Sequence, residues 1–260
     1  MPRLHDIPQI RSILSTDRAW AVYALGDLAP GFFEHTDWFG VADGAALLML
    51  YRAFGTPLLF TLGSPERVDS LLDGLPGESD FYLSIRPDVL PLIRARFQVA
   101  DETAMWRMVL NPGRFRPAAG PVQRLGVSDL SALQRLHAGG KPDNQPADDA
   151  PDFFSTSMVE HGVYYGVFDE RQNLMAAAGT HLVVPSEGVA AVGNVYTSPD
   201  HRGRGLAQRV TSAVIADLLS RPELHVIALN VRQDNSTAIH VYGRLGFERY
   251  CPFFEGRASR

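Results

Sequence analysis

The chain has 260 residues, a formal charge of −5 and a single cysteine, Cys251. That length holds one large domain or two of ordinary size, and a hydrophobic content of 45% is enough for proper cores. The acidic balance argues against nucleic acid or an anionic membrane as a general partner, and one cysteine rules out an internal disulfide. The region before Arg11 lacks the apolar core of a signal peptide and no run reaches membrane-spanning length, so the expected setting is the cytoplasm.

In chain order, the first half predicts helices over 7–14 and 18–28, then strands over 38–41, 45–51 and 57–62 separated by Gly and Pro turns. A helix over 65–72, a strand over 81–85, a helix over 87–97 and a strand over 105–110 follow. Trp20, Trp38 and Trp106 lie among apolar neighbours and read as core. The stretch 111–121 contains Pro112, Gly113, Pro117, Gly120 and Pro121, a linker composition, so two domains are expected, 1–115 and 122–260.

The second half opens with a strand over 122–125 and a helix over 129–136. Residues 139–152 are polar, with Asp143, Asp148, Asp149 and Asp152 among three prolines. This reads as a solvated surface loop. Strands over 164–168 and 174–184 form an antiparallel pair. The element order of this half matches that of the first, which suggests an internal repeat.

The stretch 189–219 organises the rest. Residues 189–196 read as a buried strand interrupted by Gly193, a sign of a bulge or of close approach to the backbone. Ser198 and Pro199 stop it, and Arg202-Gly203-Arg204-Gly205 leads into a helix with apolar positions at Leu206, Val210, Val214, Ile215 and Leu218. A helix start offers unpaired N–H groups and the positive end of the dipole, which suits a phosphate, and glycine lets it approach. A tight turn with solvated arginines is the competing reading. Beyond it come a strand over 225–231, a helix capped by Asn235 or Ser236 and closed by Gly246, and a last strand over 247–255.

Arg202-x-x-Gly205-x-Ala207 between a strand and a helix resembles the turn with which GNAT acetyltransferases hold the pyrophosphate of acetyl-CoA. A second block agrees: Leu229-Asn230-Val231, then Asn235-Ser236, Ala238, Tyr242 and Leu245-Gly246-Phe247 are similar to that superfamily's second cofactor segment. Gly179-Thr180-His181 and Gly193-Asn194-Val195-Tyr196-Thr197 resemble the glycine N-acyltransferase-like branch. The resemblance implies an α/β (α+β) fold of tandem GNAT-like domains, each a mixed, mostly antiparallel sheet flanked by helices. The first half is the degenerate copy: Gly63-Ser64-Pro65-Glu66-Arg67 stands where the cradle would be, so no CoA is expected there.

It also implies an acetyl-CoA-dependent N-acetyltransferase with direct transfer to the primary amine of a small molecule or peptide. Cofactor contacts fall to Val195, Tyr196, Thr197, Arg202, Gly203, Arg204, Gly205, Leu206, Ala207, Asn235 and Ala238, and the proton donor is Tyr242. Asn235 has helix capping as its other role. No Asp or Glu occurs in 189–197, so the base is open among His181 acting through a water, water itself and a residue of the first half; His181 also reads as a structural hydrogen-bonding group. Cys251 has no neighbour in sequence to activate it, and no His/Cys spacing suits a metal. The alternative reading is a non-catalytic CoA-binding regulatory module.

Overall fold

The computed structural model describes residues 3–41, 43–53, 55–75, 78–138 and 154–260. The acidic loop expected at 139–152 lies outside them. In chain order the first elements are β1 (Arg3–Leu4), α1 (Ile7–Leu14), α2 (Val22–Gly26), β2 (Thr36–Gly40), β3 (Ala46–Tyr51), β4 (Leu58–Gly63), α3 (Pro65–Leu72), β5 (Asp80–Ile85), α4 (Leu90–Arg94) and β6 (Gln98–Leu110). Then follow β7 (Gln123–Arg124), α5 (Leu130–Ala138), α6 (Thr156–His161), β8 (Tyr165–Phe168), β9 (Leu174–Val184), β10 (Val189–Thr197), α7 (Leu206–Leu219), β11 (Val226–Arg232), α8 (Ser236–Arg244) and β12 (Phe247–Ser259).

Two compact units result. One comprises 1–108, 230–236 and 249–260, and the other 109–229 and 237–248. The units therefore change over close to the expected linker, and the chain's last strand, read from sequence as the end of the second half, clusters with the first.

In the first unit the strands run β1-β2-β3-β4-β5-β12-β6. The three successive strands β2, β3 and β4 form an antiparallel meander, with Trp38 opposite Met49 and Leu48 opposite Thr61. β3 is apolar on both faces because both are covered, and Ala46 to Leu50 are all buried. α3 is helical for local reasons: Ser64 sits extended ahead of it, Pro65 starts it, and Val68, Leu71 and Leu72 enter the core.

The expected helix 18–28 is a correction. Asp17 accepts from the Trp20 amide and Ala21 leaves helical angles, so only Val22–Gly26 is α-helical. Trp20 is thereby turned inward, 1% exposed, and its Nε1 donates to the Thr61 carbonyl at 2.9 Å. This matters because β4 and β5 are parallel and pair only from Leu58 to Phe60, so Thr61 lies just past the paired stretch. The expected helix 87–97 is likewise shorter, Leu90–Arg94, and the strand expected at 105 begins at Gln98.

Two charged groups sit inside this unit. Arg107 is 1% exposed, lies 4.7 Å from the Tyr23 ring and 5.3 Å from that of Trp20, and burial pulls its pKa down. Asp27 is pushed up to about 7 by burial. A carboxyl raised in the folded state favours folding while protonated, and that contribution disappears as pH rises from about 4 to about 7. The shift corresponds to roughly 4 kcal/mol at full effect, and about 1–2 after allowance for partial solvent access. Asp27→Asn is therefore expected to raise Tm more at pH 8 than at pH 5, where less than half of the contribution has been lost, and an equal effect at both pH values in thermal melts contradicts this.

In the second unit the order is β11-β10-β9-β8-β7. β10 and β11 are parallel and the others antiparallel. α7 packs against β8, β9 and β10, while Leu133 and Leu136 of α5 share a core with Phe154, Val159 and Tyr164. α6 has no sequence expectation. Its signal is Ser155, which accepts from the Met158 amide as a helix cap, in front of a single buried apolar residue, Val159.

Candidate active site

β10 pairs with β11 only from Val189 to Val192, and its register with β9 shifts between Gly193 and Tyr196. The irregularity expected at Gly193 is centred one residue later: Asn194 is the left-handed residue, with φ +52°. Asparagine tolerates this because its short polar side chain finds local partners.

Those partners form a chain with only one consistent proton arrangement. Tyr164 Oη donates to the Thr180 carbonyl at 2.8 Å, so it accepts from Asn194 Nδ2 at 3.0 Å. Asn194 Oδ1 then faces His181 Nε2 at 3.2 Å, which must be the donor. Neutral His181 is thus the Nε2–H tautomer, and Nδ1 is its basic nitrogen. The glycines around this chain admit its rings. A Cβ on Gly179 would lie 2.1 Å from the Tyr164 ring, and one on Gly193 would lie 2.2 Å from His181. Burial pushes Tyr164 up to about 12, so it stays a neutral donor.

After β10 the chain turns through Ser198 and Pro199 to Gly203 and Gly205, at φ +74° and +72°, and Gly205 caps the 14-residue α7. A Cβ built on either glycine meets nothing within 4 Å. The turn is thus open toward solvent, with its left-handed backbone aimed by α7 and unobstructed, and this fits a phosphate against the helix-start amides. The two arginines brace the turn: Arg202 Nε donates to the Thr197 carbonyl and Arg204 Nη2 to that of Asp200, each at 3.3 Å. Arg202 also lies 5.9 Å from the Tyr196 ring. Tyr196 Oη, Thr197 Oγ1 and His201 Nδ1 are enclosed polar atoms without a hydrogen bond. Beside them is a pocket of about 270 Å³ lined by Arg135 and Leu136 of α5 and by Tyr196, Ser198 and Pro199.

The expected cofactor residues Val195, Tyr196, Thr197, Arg202, Gly203, Arg204, Gly205, Leu206 and Ala207 are therefore one continuous strand–turn–helix. Ala238 and Tyr242 stand apart on α8, and Asn235 belongs to the segment 230–236 of the first unit. Tyr242 is 8% exposed, packs edge-on to Phe247 at 6.1 Å, and is pushed up to about 12 by burial. Gly246, at φ +98°, closes α8, and a Cβ there would lie 2.9 Å from the Arg114 and Phe115 backbone.

Cys251 is buried and its thiol is pushed up, chiefly by burial, which suits an inert side chain. Among the described residues no group of three or more His, Cys, Asp or Glu could hold a metal, and no helix is long and apolar enough to cross a membrane.

His137, in the last turn of α5, was missed from sequence. Its ring lies 5.2 Å from that of Tyr196 and 4.7 Å from Phe154, and burial pulls its pKa down to about 4. A histidine between apolar helix positions carries no sequence signal of this contact.

Parts of the chain resemble known proteins. Residues 130–247 match the model of the acetyltransferase (GNAT) family. A mycothiol acetyltransferase of Tsukamurella paurometabola is 35% identical over 141 residues, 52% of this chain and 48% of that protein. One of Rhodococcus opacus is 44% identical over 63 residues, 23% of this chain and 20% of that protein. The chain thus aligns with half or less of the length of these curated relatives. A tandem GNAT protein from the clavulanic acid biosynthesis pathway shares the fold, with a TM-score of 0.60 and 16% identity over 97% of this chain and 94% of its own. Residues 130–247, less than half of the chain, thus resemble the acetyltransferase (GNAT) family, within a chain whose fold is that of a solved tandem GNAT protein.

Proposed function

We propose that this chain is an acetyl-CoA-dependent N-acetyltransferase acting on a primary amine of a small molecule or peptide. The observation that carries this reading is the open, left-handed Gly203–Gly205 turn at the start of α7, placed directly after a strand whose ladder breaks at Asn194. Bound there, the cofactor would supply an acetyl group activated as a thioester. The amides of Arg202 to Ala207 hold the pyrophosphate, Val195, Tyr196 and Thr197 offer backbone groups to the pantetheine arm, and Ala238 completes the contacts.

Tyr242 Oη holds its proton at neutral pH and donates a hydrogen bond to the departing sulfur. With its pKa at about 12, complete transfer to a thiolate of pKa ~8.5 would run uphill by roughly 5 kcal/mol, so the phenol acts as a donor more than as a net proton source. The proton that balances the thiolate comes from the amine, through His181 Nδ1 and water. Asn194 stands in the strand stretch where a carboxylate base was sought, and its amide is occupied at both ends, which rules it out as the base.

We place the working site in the second half alone. In the first half Trp20 already occupies the Thr61 carbonyl beyond the paired stretch of β4 and β5, the backbone position a second cofactor would need. The two halves are on this reading a degenerate and a catalytic GNAT-like domain.

A thiol-release assay with acetyl-CoA and a panel of amines, including a mycothiol-related acceptor because the matched relatives bear that name, tests the function. Turnover with at least one primary amine supports it. Cofactor binding without turnover across the panel instead favours the non-catalytic CoA-binding module, for which the missing carboxylate speaks.

A further inference from the structure

The bulge in β10 is held from two directions, and only one of them is the Asn194 side chain. The backbone of Asn194 also hydrogen-bonds the His137 ring, and because that bond favours the protonated imidazole, the ring donates and the Asn194 carbonyl accepts. The ring lies tilted against Tyr196 at 5.2 Å and edge-on to Phe154 at 4.7 Å, which limits its freedom to turn.

We infer that His137 is a positioning residue that aims the Val195 N–H for the thioester carbonyl of acetyl-CoA. This rests on the acetyltransferase reading. The peptide joining Asn194 to Val195 is planar and trans, so its C=O and N–H point in opposite directions. With Asn194 at φ +52° and the register broken between Gly193 and Tyr196, the sheet does not set that plane. A donor holding the carbonyl on one side fixes where the Val195 N–H points on the other. Pre-aimed backbone donors of this kind are worth much more than flexible ones, since nothing has to reorganise as charge develops on the oxygen.

His137 suits the task because it is neutral. An imidazole with pKa about 4 is almost wholly uncharged at pH 7, so it donates one hydrogen bond without placing a cation near the site. For the same reason it is a poor general base, and its role is orientation. A left-handed non-glycine residue is strained, and a second anchor on Asn194 helps hold a geometry that the strand alone would relax.

The test compares His137→Phe, which keeps an aromatic ring without the donor, with His137→Gln, which keeps an N–H. The probes are CoA and acetyl-CoA, read by amide NMR of labelled protein and by calorimetry. In the wild type the Val195 amide signal is expected to differ between the two bound forms. In His137→Phe that difference vanishes and thiol release from acetyl-CoA with the best amine falls about 10²-fold, as for loss of an oxyanion donor. CoA affinity stays within about threefold, and His137→Gln recovers most of the rate.

A folded His137→Phe that keeps the wild-type signal difference and rate overturns the inference, as does His137→Gln failing as fully as Phe. If the wild type binds neither probe, the acetyltransferase reading fails, and the bulge anchor is judged from amide exchange without ligand. About tenfold faster exchange at Val195 in His137→Phe then supports the anchor, and unchanged exchange overturns it.

Discussion

Gly205→Glu is expected to abolish acetyl-CoA binding in a protein that still folds. The position is left-handed, at φ +72°, so any side chain there costs on the order of 1–2 kcal/mol. A Cβ nevertheless meets nothing within 4 Å, so the substitution does not collide with the protein. It does place a carboxylate at the N-terminus of α7, where the proposed pyrophosphate would lie, and like charges repel. The loss should be at least 10²-fold in affinity, about 2.7 kcal/mol or more, and Gly203→Glu should act in the same direction. Calorimetry on the variants, with circular dichroism to confirm folding, checks this. Tight acetyl-CoA binding by folded Gly205→Glu contradicts the cradle.

Tyr242→Phe should leave cofactor affinity nearly intact and lower kcat about 10²-fold. Phenylalanine keeps the edge-on contact with Phe247, so stability should change little, and only the phenolic donor is removed. The pKa of about 12 adds a condition. The wild-type rate should show no loss attributable to Tyr242 ionisation between pH 7 and about 10, because the phenol stays protonated throughout that range. An unchanged kcat in Tyr242→Phe assigns that side chain to packing.

The parts of the site that were legible in sequence are those whose chemistry is local. A glycine-rich turn between a strand and a periodic helix contains its own explanation, and Gly203, Gly205 and Leu206 fall where that pattern places them. α3 and β9 likewise follow their expectations end to end, since Pro65 marks one and a long apolar run marks the other. The rest was decided by tertiary partners. Trp20 breaks a good helical pattern because its indole finds the Thr61 carbonyl 41 positions away in sequence. The left-handed residue is Asn194, although Gly193 is the residue with the freer backbone, because Tyr164 and His181 supply partners that no local pattern records. Gly193 and Gly179 serve instead as clearance for aromatic rings. His137 could not be found at all without the fold, since its meaning lies in a contact between α5 and β10.

The most direct test of the central claim is isothermal titration of acetyl-CoA into the full chain. The account predicts one cofactor bound per chain, with the Gly203–Gly205 turn of the second half as its site and the first half, whose Thr61 carbonyl is already bonded by Trp20, contributing none. No binding to a folded protein would contradict the acetyltransferase reading, and two cofactors per chain would contradict the assignment of the site to the second half alone.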